Sequence, residues 1–282
     1  MSTTVSVPST ASFFRRAAKQ KRFMFGFIVT LLVVAFVIIA PFFAPYGENE
    51  TAGPPYSTDG FFGTDYLGQD VLSRVMYGGL GVLLISVLAT LLGMVLGVAI
   101  GVVAAYVGGW WDEVIMRLND VLLAFPQILL ALVVLTALEN PSVWVIVVLI
   151  GVSHAPRVAR VSRGVALGIV SRDFVVAAEA LGEKRSRVIV AEVLPNMIGP
   201  LLAEAGLRLT YSIGLVAALG FLGFAADPGA ANWGQMMNEN RLGLATQPWS
   251  VIAPVLMIAI FTIATNLMAD GLAQLSQKDD SR

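Results

Sequence analysis

The chain of 282 residues contains no cysteine. That excludes disulfides, thiolate metal sites, c-type haem attachment and a cysteine nucleophile. It contains one histidine, His154, so no His cluster for a metal exists either. His154 neighbours Ser153, and adjacent helical residues face apart, which argues against a nucleophile–base pair and for a satisfied or interfacial histidine. Charge is scarce: 13% of residues are charged, against about 25% in soluble domains. The formal net charge of −1 gives no attraction to nucleic acid. No Gly-x-x-x-x-Gly-Lys-Ser/Thr run is present, so the chain has no nucleotide-binding P-loop.

What is abundant is apolar: 57% of residues are hydrophobic. About 20 consecutive apolar residues cross a bilayer as a helix. Six runs qualify as spans: Phe23–Phe43, Gly81–Val107, Val114–Leu138, Val143–Ala159, Pro195–Phe224 and Trp249–Leu272. The expected fold is therefore an all-α integral membrane protein. Its expected layout is a tail (1–22), the first transmembrane helix (23–43), an external loop (44–80), a five-helix core (81–272) and a second tail (273–282). Within the core lie a cytoplasmic segment (157–194) and a second external loop (225–248) containing Asp227-Pro228-Gly229. The first run is too long for a cleaved leader, and Ala40-Pro41-Phe42-Phe43-Ala44 is no small-x-small site, so it reads as a retained anchor.

Basic residues set the orientation. Arg15, Arg16, Lys19, Lys21 and Arg22 precede the first span. Arg157, Arg160, Arg163, Arg172, Lys184, Arg185 and Arg187 lie between the fourth and fifth, and Lys278 and Arg282 in the tail. The opposite loops hold only Arg74 and Arg241. The positive-inside rule then puts both termini in the cytoplasm.

Several residues inside the spans invite roles. Gly93, Gly97 and Gly101 form a small-xxx-small ladder for close helix packing, either static or sliding. Arg117 and Asp120 are expected to pin the third helix at the interface. Glu204 and Arg208 stand four apart in the order that pairs well. They either wall a translocation path or form a self-neutralised buried pair. In the cytoplasmic segment, Phe174–Leu181 reads as a short helix turned by Gly182, with a second helix over Glu183–Val193 stopped before Pro195. The first piece is too short to stand alone and exposes alanines and a Phe/Val/Leu set. It either docks into another protein's groove or lies on the membrane surface.

Ala177-Ala178-x-Ala180-Leu181-Gly182, followed by Leu194-Pro195-Asn196, resembles the EAA loop of binding-protein-dependent ABC import permeases. Further segments are similar to signatures of the dipeptide/oligopeptide/nickel branch. These are Phe62-Gly63-Thr64-Asp65-x-Leu67-Gly68-x-Asp70-Val71-Leu72-Ser73-Arg74, Met116-Arg117-Leu118-x-Asp120 with Leu123-Ala124-Phe125-Pro126, Leu219-Gly220-Phe221-Leu222-Gly223, Trp233-Gly234-x-Met236 and Asn266-Leu267-x-x-Asp270-Gly271-Leu272. The resemblance implies a type I ABC importer permease fold and the C-type subunit of its pair, in a prokaryotic inner membrane. It implies four kinds of partner: a sister permease, two cytoplasmic ATPases, an external solute-binding protein and membrane lipid. ATP and Mg would act on the ATPases, leaving this chain without cofactor or catalysis. Ala177, Ala178, Ala180, Leu181, Gly182, Pro195 and Asn196 would couple it to them. Val176 and Val216 stand where relatives carry Glu. Di- or oligopeptides are the expected cargo, with nickel or another small solute as the alternative. A reading of another class, an ion-coupled carrier, would need deep carboxylates, of which only Glu204 qualifies, and has no use for the Phe174–Leu194 hairpin.

Overall fold

A computed structural model describes residues 16–138, 141–225 and 229–280, with side chains as far as residue 275. Arg15, Asp227, Pro228, Arg282 and the Lys278 side chain lie outside it. The described residues form helices and connections, with two isolated β-bridges. Five helical stretches are long and apolar enough to cross a membrane, six if one bent pair counts as one.

The first is α1 (Lys21–Ile39), extended by a 3₁₀ turn over Ala40–Phe43 where Pro41 takes an early position. A short α2 (Val71–Tyr77) leads into α3 (Gly79–Val107), so the second span begins within what hydropathy left as loop. Asp70 caps α2 by accepting from Ser73 N at 2.7 Å. Gly108 and Gly109, both at positive φ, turn the chain into α4 (Gly109–Leu123).

The third span is not the single helix expected over Val114–Leu138. It breaks after α4, and α5 (Gln127–Ala137) leaves at 73°. Pro126 carries no N–H to continue the ladder and forces Phe125 away from helical geometry. The broken pair also explains the polar first half of this run. On α4, Asn119 and Asp112 face α6, Glu113, Arg117 and Asp120 form an exposed charged stripe, and Trp110, Trp111, Leu118 and Val121 form an exposed apolar arc.

The fourth helix, α6 (Val143–Val170), runs eleven residues past the expected end at Ala159. Arg160 and Arg163 do not stop it because α4 neutralises them. Arg163 pairs with Asp112 at 2.5 Å and Arg160 with Asp120 at 2.6 Å. Arg117 pairs with Glu113 on its own helix. Pro156 lies inside α6, and neighbouring amides support the backbone there: Asn119 Nδ2 donates to Pro156 O at 2.8 Å and Gln127 Nε2 to Ser153 O at 2.7 Å.

After α6 come α7 (Asp173–Ala180) and α8 (Arg185–Val188). The second hairpin helix does not stop at Val193. It widens into a π turn over Ile189–Val193, runs through Leu194–Asn196, and passes almost directly into α9 (Ile198–Phe221). The wide turn accommodates Pro195, and Asn196 Nδ2 donates to Glu192 O at 2.6 Å. The fifth span thus begins three residues later than Pro195 and ends at Phe221. A short α10 (Trp233–Glu239) precedes α11 (Trp249–Asp280), which outruns the expected Leu272 by eight residues.

Helices α3 and α6 form the closest seam. A Cβ on Gly93 would sit 2.9 Å from Gly151 O, on Gly97 2.6 Å from Ala155 O, and on Gly101 2.3 Å from Ala159 O. The main core gathers Val82, Ile85, Ala89, Ile146, Ile150, Ile213, Leu219, Trp233 and Phe261 from five helices. A second cluster at the hairpin end joins Val102, Ala105, Ile169, Val175, Val188, Val193 and Met197. The hairpin is therefore seated on α3, α6 and the entry to α9.

Candidate coupling and transport sites

At the hairpin end, α7 closes with a Schellman motif. Gly182 N donates to Glu179 O at 2.9 Å and Glu183 N to Ala178 O at 3.2 Å, with Gly182 at φ +80°. One side of α7 is anchored by fully buried Val175, with Phe174 and Ala178 packed beside it. The other side presents Val176, Ala177, Ala180 and Leu181, and Leu181 is 85% exposed. Pro195 is exposed and Asn196 half-buried, so the hairpin brings both strands of the Ala177–Asn196 set to one end of the bundle. Tyr106, at the end of α3, donates its hydroxyl to Glu179 Oε1. Sequence inspection missed that contact, because 73 residues separate the partners.

Glu204 and Arg208 lie one turn apart on α9, nearly buried, with Arg208 Nε 2.7 Å from Glu204 Oε1. The Arg208 guanidinium also sits 5.1 Å from the centre of the Tyr211 ring, and Tyr211 is 56% exposed.

His154 is fully buried in the middle of the bundle. Its Nε2 lies 3.0 Å from Ser212 Oγ, which lies 2.9 Å from Thr90 Oγ1, and Gln127 Nε2 approaches its Nδ1 at 3.4 Å. With Nδ1 accepting from the Gln127 amide, Nε2 is the atom that donates to Ser212. This chain of polar groups ties α3, α5, α6 and α9 together. Thr90 could have been suspected from its place three residues before Gly93 on the packing face; Ser212 gave no such signal. Ser212→Ala is expected to cost about 1 kcal/mol, the scale of side-chain hydrogen bonds within membranes, read as a lower thermal midpoint of the purified protein.

At the opposite end, residues 44–70 and 229–248 fold into one lobe. Arg74 Nη1 reaches Asp65 Oδ2 at 2.6 Å and Glu239 Oε2 at 3.0 Å. Asp65 Oδ1 also accepts from Leu67 N and Gln69 N, both at 2.9 Å. Tyr66 N donates to Asn240 Oδ1 at 3.0 Å, Gln247 Nε2 to Ser57 O at 2.8 Å, and Ala231 N to Glu48 Oε1 at 2.6 Å. Burial, then the negative charge of Glu239, raises the Tyr66 phenol above its ordinary range, so it stays protonated. Trp233 Nε1 donates to Val75 O at 2.9 Å while its ring packs on Gly79, where a Cβ would meet it at 2.5 Å. The contacts of Asp65, Arg74 and Trp233 show what their signatures hold together. Among the described residues no cluster of His, Cys, Asp or Glu is arranged to hold a metal.

Residues 93–279 match the family described as "Binding-protein-dependent transport system inner membrane component", and residues 10–59 the "N-terminal TM domain of oligopeptide transport permease C". The chain belongs to the first of these families. It is a permease component of an ABC importer. The permease is 32% identical to a dipeptide transport system permease protein, DppC, of Alkalihalophilus pseudofirmus, over 92% of this chain and 86% of that one. It is 33% identical to a glutathione transport system permease protein, GsiD, of Escherichia coli, over 92% of this chain and 87% of that one. In fold it is similar to an inward-facing structure of the MetNI methionine ABC transporter, with a TM-score of 0.55 and 17% identity. That likeness covers 71% of the permease and 96% of the other chain.

Proposed function

We propose that the permease forms half of a translocation path for di- or oligopeptides, delivered by an external solute-binding protein and driven by two cytoplasmic ATPases. A sister permease supplies the other half. The relatives that carry dipeptides and glutathione support the cargo class. The chain resides in a prokaryotic inner membrane with both termini and the α7 hairpin in the cytoplasm, consistent with the distribution of Lys and Arg. The lobe built from residues 44–70 and 229–248 then faces outward. ATP and Mg act on the ATPases, and this chain contributes no catalysis.

The observation that carries the reading is the hairpin. Its buried side is fixed to α3, α6 and the start of α9, while Val176, Ala180 and Leu181 face outward, exposed among the described residues. A partner gripping that surface moves α9 directly, because the hairpin runs into α9 through the π turn. Glu204 and Arg208 ride on α9, and their pairing leaves the path wall electrically neutral. Ala177, Ala178, Ala180, Leu181, Gly182, Pro195 and Asn196 are assigned to the coupling surface. Gly93, Gly97 and Gly101 make α3 and α6 move as one body.

Gly182→Val tests the assignment. A Cβ there meets nothing within 4 Å, so the substitution acts through its φ of +80° alone. A β-branched residue in that region costs on the order of 1–2 kcal/mol and opens the cap. Insertion into the membrane is expected to be unchanged, and ATP-driven peptide uptake to fall at least about tenfold. Uptake at the original rate contradicts the coupling role.

A further inference from the structure

Helices α3, α4, α5, α6 and α9 carry five arginines and four carboxylates between them. Arg117, Arg160, Arg163 and Arg208 pair with Glu113, Asp120, Asp112 and Glu204 in that order. Arg157 is left over: it is exposed and its side chain has no ion pair or hydrogen bond among the described residues. It stands at the middle of α6, whose 28 residues extend about 42 Å. Whichever ~30 Å of that length the hydrocarbon covers, the middle lies inside it. An arginine at that depth is costly against lipid and belongs against protein or a water-filled cavity. Arg157 lines such a cavity, a small one at the 73° break between α4 and α5, with Leu122, Phe125, Gln127, Leu130 and Ser153. A break at membrane depth is tolerated where its irregular backbone borders protein or water, and discontinuous helices build ligand sites in transporters of other folds. Buried His154 lies within electrostatic reach of both Arg157 and Arg208. The unpaired arginine therefore stands near the Glu204–Arg208 pair assigned to the path wall.

Resting on the peptide-path reading, we propose that Arg157 binds the free carboxylate of the cargo as it passes the break between α4 and α5. A guanidinium offers two parallel N–H donors to one carboxylate, which fixes orientation as well as charge. Leu122, Phe125 and Leu130 beside it exclude water, and a charge-assisted hydrogen bond is stronger in such a setting. The four other arginines of these helices are neutralised within the chain, so Arg157 gives the wall its net charge. That charge repels a bare metal cation, and the assignment favours carboxylate-bearing cargo over nickel. Dipeptides and glutathione, which the relatives carry, both have a free carboxylate.

The experiment uses the assembled transporter with its binding protein in ATP-loaded vesicles, and alanyl-alanine as cargo. The chain has no native cysteine, and those of the other subunits are replaced, so Arg157→Cys carries a single reactive thiol. Uptake is expected to fall about tenfold, the scale of one lost charge-assisted hydrogen bond. Labelling the thiol with aminoethyl methanethiosulfonate restores a cation and should recover most of the uptake, whereas the sulfonatoethyl reagent should not. Alanyl-alanine delivered by the binding protein should slow the labelling. Unchanged uptake by Arg157→Cys overturns the proposal, and so does labelling that cargo does not slow. Loss of the sister permease from the purified Arg157→Cys complex would assign the arginine to a partner's acid and overturn it. A defect seen in vesicles containing phosphatidylglycerol but absent in pure phosphatidylcholine would assign it to a lipid headgroup, with the same result. If the unaltered transporter imports alanyl-alanine and Arg157→Cys imports it equally, this site alone falls. If the unaltered transporter does not import it, the peptide reading falls as well.

Discussion

Arg74→Ala is expected to unfold the lobe of residues 44–70 and 229–248 while leaving the helices inserted. Arg74 and Asp65 are almost completely buried and Glu239 nearly so. Removing the guanidinium leaves two carboxylates facing each other with no cation, in a site from which water is largely excluded. Breaking a buried pair from one side costs about 3–5 kcal/mol, most of it the penalty for the stranded charge. Asp65 has backbone donors from Leu67 and Gln69 to retain some stability, whereas Glu239 keeps, among the described residues, the Gln235 amide at 2.7 Å. The loss should appear as protease cleavage within residues 44–70 and as a lower thermal midpoint of the purified protein. The triple variant Asp65→Asn, Arg74→Met and Glu239→Gln removes all three charges and should recover much of the loss, since it no longer strands a carboxylate. Protection unchanged in Arg74→Ala would show that the triad does not hold the lobe.

Gly101→Val is expected to be more damaging than Ser212→Ala in the same bundle. Its Cβ would fall 2.3 Å from Ala159 O and 2.9 Å from Arg163 N, both backbone atoms of α6. No side-chain rotation relieves such a contact, so the helices must part. Parting them pulls on the Arg163–Asp112 pair and on the Val102–Ile169 cluster under the hairpin. Overpacking of this kind costs on the order of 3 kcal/mol, the upper end of its usual range. Folded protein recovered from the membrane should fall severalfold. Gly164→Ala, on α6 but with nothing within 4 Å of a new Cβ, is the matched control and should leave recovery unchanged.

Hydropathy located the spans because a bilayer demands about 20 apolar residues wherever a helix crosses. It mislocated their ends wherever tertiary partners changed the cost of a charge. Arg160 and Arg163 signal an exit from the membrane when read alone, yet α6 continues past them because Asp120 and Asp112 on α4 lie opposite. Pro126 and Pro195 carry the same local signal, and their outcomes differ. At Pro126 the chain bends sharply, whereas at Pro195 a π turn absorbs the missing donor and the helix goes on. Gly182 was legible, since a short helix followed by glycine specifies a left-handed cap with little dependence on the rest of the fold. The polar chain through Gln127, His154, Ser212 and Thr90 was not, because it joins four helices whose packing no local pattern encodes. The same holds for Arg74 and Glu239, 165 residues apart.

Absence of native cysteine makes one measurement decisive for the account as a whole. A single cysteine replaces the exposed Ala180, another is placed in the groove of the ATPase, and the assembled transporter is oxidised in membranes with and without ATP. A disulfide between the two chains, its yield changing on ATP addition and its formation halting uptake, is the predicted result. No crosslink at any groove position, together with uptake that proceeds without ATP, would contradict it.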